Sequence, residues 1–196
     1  MVLKNLFYSL LFLFIGISLG IVWANRSIQA VGQNKSLTLK NAEWSYFAAM
    51  DLAKNDLQRA FIGRIALFAL KDSEAIYFIA NQDQDGNPLY ANNSYILEGS
   101  SFDAAYWSIT LYGEDHFLMP NKEDRYSYNQ VNINYNDSLK HHYTIQLGGQ
   151  EKLQKNYLPT EGEQQINLLL RIYKPSKALY FNRDKVKLPT IKRVDL

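Results

Sequence analysis

The chain of 196 residues contains no cysteine. That absence excludes disulfides, thiolate zinc sites, a cysteine nucleophile and a lipid-modified N-terminal cysteine. Catalytic signatures are missing too: there is no G-x-S-x-G elbow, no phosphate-cradling glycine loop and no H-E-x-x-H helix. Histidine is scarce, with only His116, His141 and His142. Neighbours on a strand face opposite sides, so His141 and His142 do not chelate one ion, and no metal or other cofactor is expected. Charge of one sign is also lacking. Lys and Arg number 21 against 19 Asp and Glu, a net charge of +2, so no strong field draws the protein to nucleic acid. No internal repeat and no low-complexity run occurs.

What is plentiful is tyrosine, 14 residues, together with 10 phenylalanines. Aromatic rings pack well on a pleated surface, so the composition leans towards β structure. The other conspicuous feature is the uncharged run Leu6–Ala24, LFYSLLFLFIGISLGIVWA. It meets the roughly 20 apolar residues that crossing a bilayer requires. Trp23 closes it with an interface-preferring ring and Arg26 follows. The run exceeds the 7–15 residues of a signal-peptide core, which favours an uncleaved anchor; Val22-Trp23-Ala24 leaves cleavage after Ala24 as the alternative. Lys4 before the run and Arg26, Lys35 and Lys40 after it give no clean positive-inside bias. A short leading tail before a long trailing domain fits a signal anchor that exports the domain. Gly16 and Gly20 form a G-x-x-x-G on which two such helices could dimerise.

The expected organisation is an anchor over 1–24, a polar tether over 25–41 and a β-rich domain over 42–196. Within the last, Ala49–Leu70 carries the only strong helical period: Met50, Ala53, Leu57, Phe61, Ile65 and Phe68 recur every three or four residues. The spacing predicts one helix packed on a sheet. After Ser73 the period changes to alternation. Glu74–Ala80 reads as a strand, Asp85-Gly86 as a tight hairpin and Asn87-Pro88 as its exit. Asn81, Asp83 and Asp85 also mimic the oxygen positions of a calcium loop, but Asn92 stands where a bidentate glutamate is needed, so the hairpin reading prevails.

In Ala105–Tyr112, Trp107, Ile109 and Leu111 point one way, while Tyr106, Ser108, Thr110 and Tyr112 point the other. Arg125–Tyr135 reads as a further strand with Arg125 on its inward face, where it needs a carboxylate such as Asp124, Glu114 or Asp115. His141–Leu147 is another strand. Asn156–Gly162 is a turn. Ile166, Leu168, Leu170 and Ile172 alternate with Asn167, Leu169, Arg171 and Tyr173 in a central strand that Pro175 ends. Six or seven short strands at this spacing predict an antiparallel sandwich or barrel.

Several blocks in this order carry a resemblance: AIYFIANQDQDGNPL, AYWSITLYGEDHFLMPNKEDRYSYN, NYLPTEG, LLLRIYKPSKAL and KLPTIKRV. Together they resemble the bacterial domain of unknown function 1214 family. The matching motif positions are Asp85, Gly86, Trp107, Asn121, Arg125, Tyr126, Pro159, Arg171 and Tyr173. Tyr157 stands where the family's turn has Trp. The resemblance implies a mainly β, jelly-roll-like antiparallel sandwich and supplies no activity.

Two functions are weighed. The first is a non-catalytic, membrane-anchored binding or assembly module on the periplasmic side of the bacterial inner membrane, with a sugar, a lipid headgroup or a protein as ligand. Its candidate binding residues are Tyr106, Tyr112, Asn121, Arg125, Tyr126, Asn129, Arg171 and Tyr173. The second is a hydrolase-like enzyme in which Arg125 clamps an anion and His116 or Asp115 is the base.

Overall fold

The computed structural model describes residues 2–32, 38–47, 56–64, 70, 73–139, 141–149 and 151–195. They fall into two compact units, one of residues 1–37 and 53–69, the other of residues 38–52 and 70–196.

In the first unit, helix α1 spans Val2–Gly32 and helix α2 spans Asp56–Arg64. At 1.5 Å per residue, α1 is longer than the roughly 30 Å hydrocarbon core of a bilayer. Its uncharged stretch is apolar on every side. Leu6, Phe7, Phe12, Phe14 and Trp23 are all exposed, and none of the most apolar window is buried. Such a surface fits a membrane anchor or a signal sequence and not a core helix. α1 continues past Ala24 through residues assigned to the tether, because Ser27–Val31 contains no helix breaker. At Gly16 and Gly20 an added Cβ would meet nothing within 4 Å. α2 lies against α1, where Arg64 donates to Asn25 Oδ1 at 3.1 Å. It is the helical part described within the helix expected over Ala49–Leu70; Leu70 is not helical, and residues 49–55 and 65–69 of that span lie outside the described residues.

The second unit is mainly β. Its strands are β1 (Thr38–Asn41), β2 (Trp44–Phe47), β3 (Ala75–Ala80), β4 (Ser94–Ser100), β5 (Ala104–Gly113), β6 (Ser127–Asn129), β7 (His142–Leu147), β8 (Tyr157–Leu158), β9 (Ile166–Pro175) and β10 (Thr190–Val194). A six-stranded sheet has the order β1-β2-β3-β9-β5-β6, and a four-stranded sheet the order β10-β4-β7-β8. All pairs are antiparallel except β7 with β8. A short helix α3 (Lys177–Phe181) follows Pro175, with the Ser176 hydroxyl accepting from the Leu179 amide.

The alternation of β5 places Trp107, Ile109 and Leu111 inward. Beside them β9 contributes Leu168, Leu170 and Ile172, and β3 contributes Ile76 and Phe78. Tyr95, Leu97, Tyr143, Ile145, Leu147, Leu158 and Ile191 come from the other sheet and belong to the same buried cluster. At its centre the Trp107 ring stacks on Tyr143 at 5.0 Å and meets the edge of Phe102 at 5.8 Å. Gly99 lies opposite Tyr143, and a Cβ there would sit 2.6 Å from the Tyr143 ring carbon Cζ, so this strand position needs glycine. The buried Trp44 indole donates to the Pro189 carbonyl at 2.6 Å, tying β2 to the approach of β10.

Three expectations need correction. Arg125–Tyr135 is not one strand. Only Ser127–Asn129 pairs with β5; thereafter Asn129 Oδ1 accepts the Val131 and Asn132 amides and turns the chain, leaving Val131 80% exposed. The strands number ten among the described residues, more than six or seven, because β1, β2 and β8 are too short to show a period. Asn156–Gly162 is more than a turn, since Tyr157–Leu158 adds a parallel rung to β7.

The tight turn after β3 forms, closed by the bridge of Gln82 with Pro88, but the chain does not return beside β3, since β4 pairs with β7 and β10 in the other sheet. Asp83, buried, accepts the amides of Asp85 at 3.0 Å and Asn87 at 2.8 Å, and Gly86 takes φ +83°. The Asp83 carboxylate is thus spent on its own turn.

Candidate functional site

The outward face of the six-stranded sheet gathers polar side chains from its three central strands. Period-2 alternation sends Tyr106, Ser108, Thr110 and Tyr112 of β5 outward. The register sets Tyr106 opposite Tyr173, Ser108 opposite Arg171 and Thr110 opposite Leu169. On the other side of β9, Tyr77 of β3 lies opposite Arg171 and Ala75 opposite Tyr173. Arg171 is therefore central to this face.

Arg171 is half-buried. Nη1 donates to Thr110 Oγ1 at 3.1 Å and Nη2 to the Tyr112 hydroxyl at 2.8 Å, with Cζ 5.7 Å from the Tyr112 ring centre. Both partners are neutral hydroxyls. The ion pairs among the described residues are Lys152 with Glu123 and His142 with Asp137, and neither includes Arg171. A guanidinium has five N–H donors, so this one retains unused capacity and an uncompensated charge.

Beside it the Tyr77 hydroxyl is buried with no hydrogen-bond partner. Burial and, second, the neighbouring Tyr173 push its pKa up to about 12, with Arg171 pulling the other way. Tyr106 and Tyr173 stand across the two strands with ring centres 5.9 Å apart and planes tilted 44°.

Five of the eight candidate residues thus share one face: Tyr106, Tyr112, Arg171, Tyr173 and, at the β6 edge opposite Ser108, Asn129, whose side chain is taken up by the turn that follows. The other three are placed elsewhere. Asn121 holds its own loop: Oδ1 accepts the Glu123 and Arg125 amides, and Nδ2 donates to the Met119 and Arg125 carbonyls. The Tyr126 hydroxyl donates to Asp124 at 3.1 Å, a bond that raises its pKa.

Arg125 does not meet the inward carboxylate expected of it. Its guanidinium lies 5.4 Å over the ring of Tyr128, whose strand position opposite Ile109 is core-facing, so the sheet separates it from Tyr106 and Tyr112. Near it Lys152 pairs with Glu123 at 2.9 Å, which raises the lysine's pKa, and lies 5.6 Å over the Tyr157 ring. The bases considered with Arg125 are not hydrogen-bonded to it. Asp115 accepts the Phe117 amide within its turn, and His116 is exposed with φ +65°.

Tyr77 escaped the sequence reading. One tyrosine in the apolar run AIYFIA looks like core, and only its alternation with Ile76 and Phe78 signals the opposite face.

A second polar surface lies on the four-stranded sheet. Glu98, Ser100, Asn136, His142, Thr144 and Lys187 line a cleft of about 360 Å³. Asp137 accepts the His141 amide at 3.1 Å, the His142 amide at 2.8 Å and the His142 ring at 2.9 Å. These bonds, the His141 amide foremost, lower its pKa from 3.8 to about 2. A carboxyl with a lowered folded-state pKa stabilises the fold above its unfolded pKa and loses that contribution as pH falls through the folded value. We expect Asp137→Asn to remove part of the stability loss between about pH 4 and pH 2. Urea midpoints of both proteins across this range check it, and parallel curves would refute it.

Among curated proteins no match to the chain is found. Two solved structures resemble it in fold. The VPA0106 protein from Vibrio parahaemolyticus is 24% identical over 71% of this chain and 35% of that one, with a TM-score of 0.58. A protein from Burkholderia cenocepacia is 12% identical over 70% of this chain and 33% of that one, with a TM-score of 0.50. The chain spans about a third of the length of each. The model of the family described as "Protein of unknown function (DUF1214)" matches residues 74–177, from the residue before β3 to the start of α3, just over half of the chain. On that match the chain belongs to the DUF1214 family.

Proposed function

We propose that the protein is a membrane-anchored, non-catalytic binding module of the bacterial envelope, with its sheet domain on the periplasmic side. α1 acts as the anchor, and the two sheets form a jelly-roll-like sandwich around the shared core. The ligand face is the outward side of the six-stranded sheet, and the ligand carries an anionic group that docks on Arg171.

One observation carries this reading: half-buried Arg171 is held by two neutral hydroxyls and has no carboxylate partner among the described residues. A desolvated charge without compensation costs several kcal/mol, and structural arginines are normally paired. A docked carboxylate accepts the spare N–H donors in the bidentate manner that suits a guanidinium and neutralises its charge.

The test is a titration of the full chain in detergent with sodium acetate against sodium chloride at matched ionic strength, read as melting temperature. Acetate raises the wild-type midpoint beyond the salt control and leaves Arg171→Met at that control. Equal shifts in the two proteins would overturn the site. Retention of the chain in the membrane fraction after alkaline carbonate extraction checks the anchor; release into the supernatant contradicts it.

A further inference from the structure

We infer that the ligand of the Arg171 face is an acidic sugar, a pyranose ring bearing a carboxylate. This rests on the anion site proposed above and specifies what the anion is attached to. Arg171 and Tyr173 are alternate residues of β9, hence on one face and about 7 Å apart along the strand. Tyr106 stands directly opposite Tyr173, and their half-buried rings, 5.9 Å apart, form an aromatic platform beside the guanidinium. Ser108, opposite Arg171, sits between the platform and Thr110.

A small inorganic anion would use Arg171 alone and leave the platform idle. A six-membered ring with a carboxylate on its edge spans that step. Its C–H face covers tyrosine while its hydroxyls meet Ser108 and the hydroxyls of Thr110 and Tyr112. An aromatic acid would cover the rings but offer no acceptor to the O–H groups of Ser108, Thr110 and Tyr112, the last two of which only accept from Arg171, a loss that sites built for polar ligands penalise.

The experiment is calorimetric titration of the full chain in detergent with sodium glucuronate, acetate, benzoate and glucose at equal ionic strength. Glucuronate binds about tenfold tighter than acetate, the scale of one aromatic contact. Tyr106→Ala removes that advantage and leaves acetate binding intact; Tyr173→Leu does the same and covers the case in which the first variant misfolds. Arg171→Met abolishes both. Glucuronate and acetate binding equally would overturn the sugar while leaving the anion site standing. Benzoate outcompeting glucuronate would also overturn it. Binding of none of the anions would remove both readings together.

Discussion

Replacing Trp107 with alanine is expected to destabilise the sheet domain by about 3–5 kcal/mol, the range found for a large aromatic truncated in a core. Trp107 is 1% exposed and touches rings from two directions, Tyr143 stacked at 5.0 Å and Phe102 at 5.8 Å. It belongs to β5 whereas Tyr143 belongs to β7, so the stack joins the two sheets. Removing the indole leaves a cavity that rigid strands on both sides cannot close. It also strands Tyr143, whose buried hydroxyl has no partner and whose pKa burial pushes upward. Domains of this size have about 5–15 kcal/mol in total, so the variant sits near the threshold of folding. Trp107→Phe keeps a ring on Tyr143 and should lose clearly less. Urea unfolding followed by near-ultraviolet circular dichroism reads both, and an alanine variant within 1 kcal/mol of wild type contradicts the account.

The second large effect is expected at a polar residue. Asn156 is 2% exposed and its amide is fully used. Nδ2 donates to the carbonyls of Asn134 and Thr144 at 2.8 Å each, and Oδ1 accepts the Asn134 amide at 2.8 Å and the Asn134 side chain at 3.1 Å. β8 holds only Tyr157–Leu158, so the Asn156 side chain supplies the rung that the ladder along β7 would otherwise lack. Alanine leaves the half-buried Thr144 carbonyl and the Asn134 groups without these partners, each worth about 1–3 kcal/mol when left dry. We expect a loss of about 3 kcal/mol, or a midpoint lower by about 6–12 °C. Asn156→Asp should fare no better, since it keeps the acceptor but replaces the donor with a charge. A midpoint within 2 °C of wild type for the alanine variant would show that water replaces the amide.

These two residues also mark where the sequence is legible. Trp107 is, because Ala105–Tyr112 alternates cleanly and period 2 is a local property. Asp85-Gly86 is, because the turn is closed by Asp83 two residues away. Asn156 is not. Its partners lie 12 and 22 residues distant, and nothing local separates a buried amide clamp from a solvated loop residue. Gln146 is the same case, binding the Gly148 and Glu151 carbonyls and the Leu153 and Gln154 amides from a fully buried position. Arg125 misled for the converse reason. Its alternation with Ser127 and Asn129 is real in the sequence, but Asn121 takes up the Arg125 amide and carbonyl, so the strand begins later.

The candidate site was half legible. The outward set of β5 and the presence of Arg171 and Tyr173 on a central strand follow from alternation. That β9 pairs with both β5 and β3, which brings Arg171 between Thr110, Tyr112 and Tyr77, is a matter of register between segments some 60 to 90 residues apart and has no local sign.

That Arg171 is kept for a ligand at a cost in stability is tested most directly by the melting temperature of the Arg171→Met, Thr110→Val, Tyr112→Phe triple variant, which replaces every member of the contact. Exchanging all members of a part-buried polar contact for apolar groups of similar shape is near neutral or stabilising when the contact serves no structural purpose. The account predicts a midpoint equal to or above wild type in the absence of ligand. A midpoint lower by more than about 6 °C, roughly 2 kcal/mol for a chain of this length, would make Arg171 a structural residue and contradict the account.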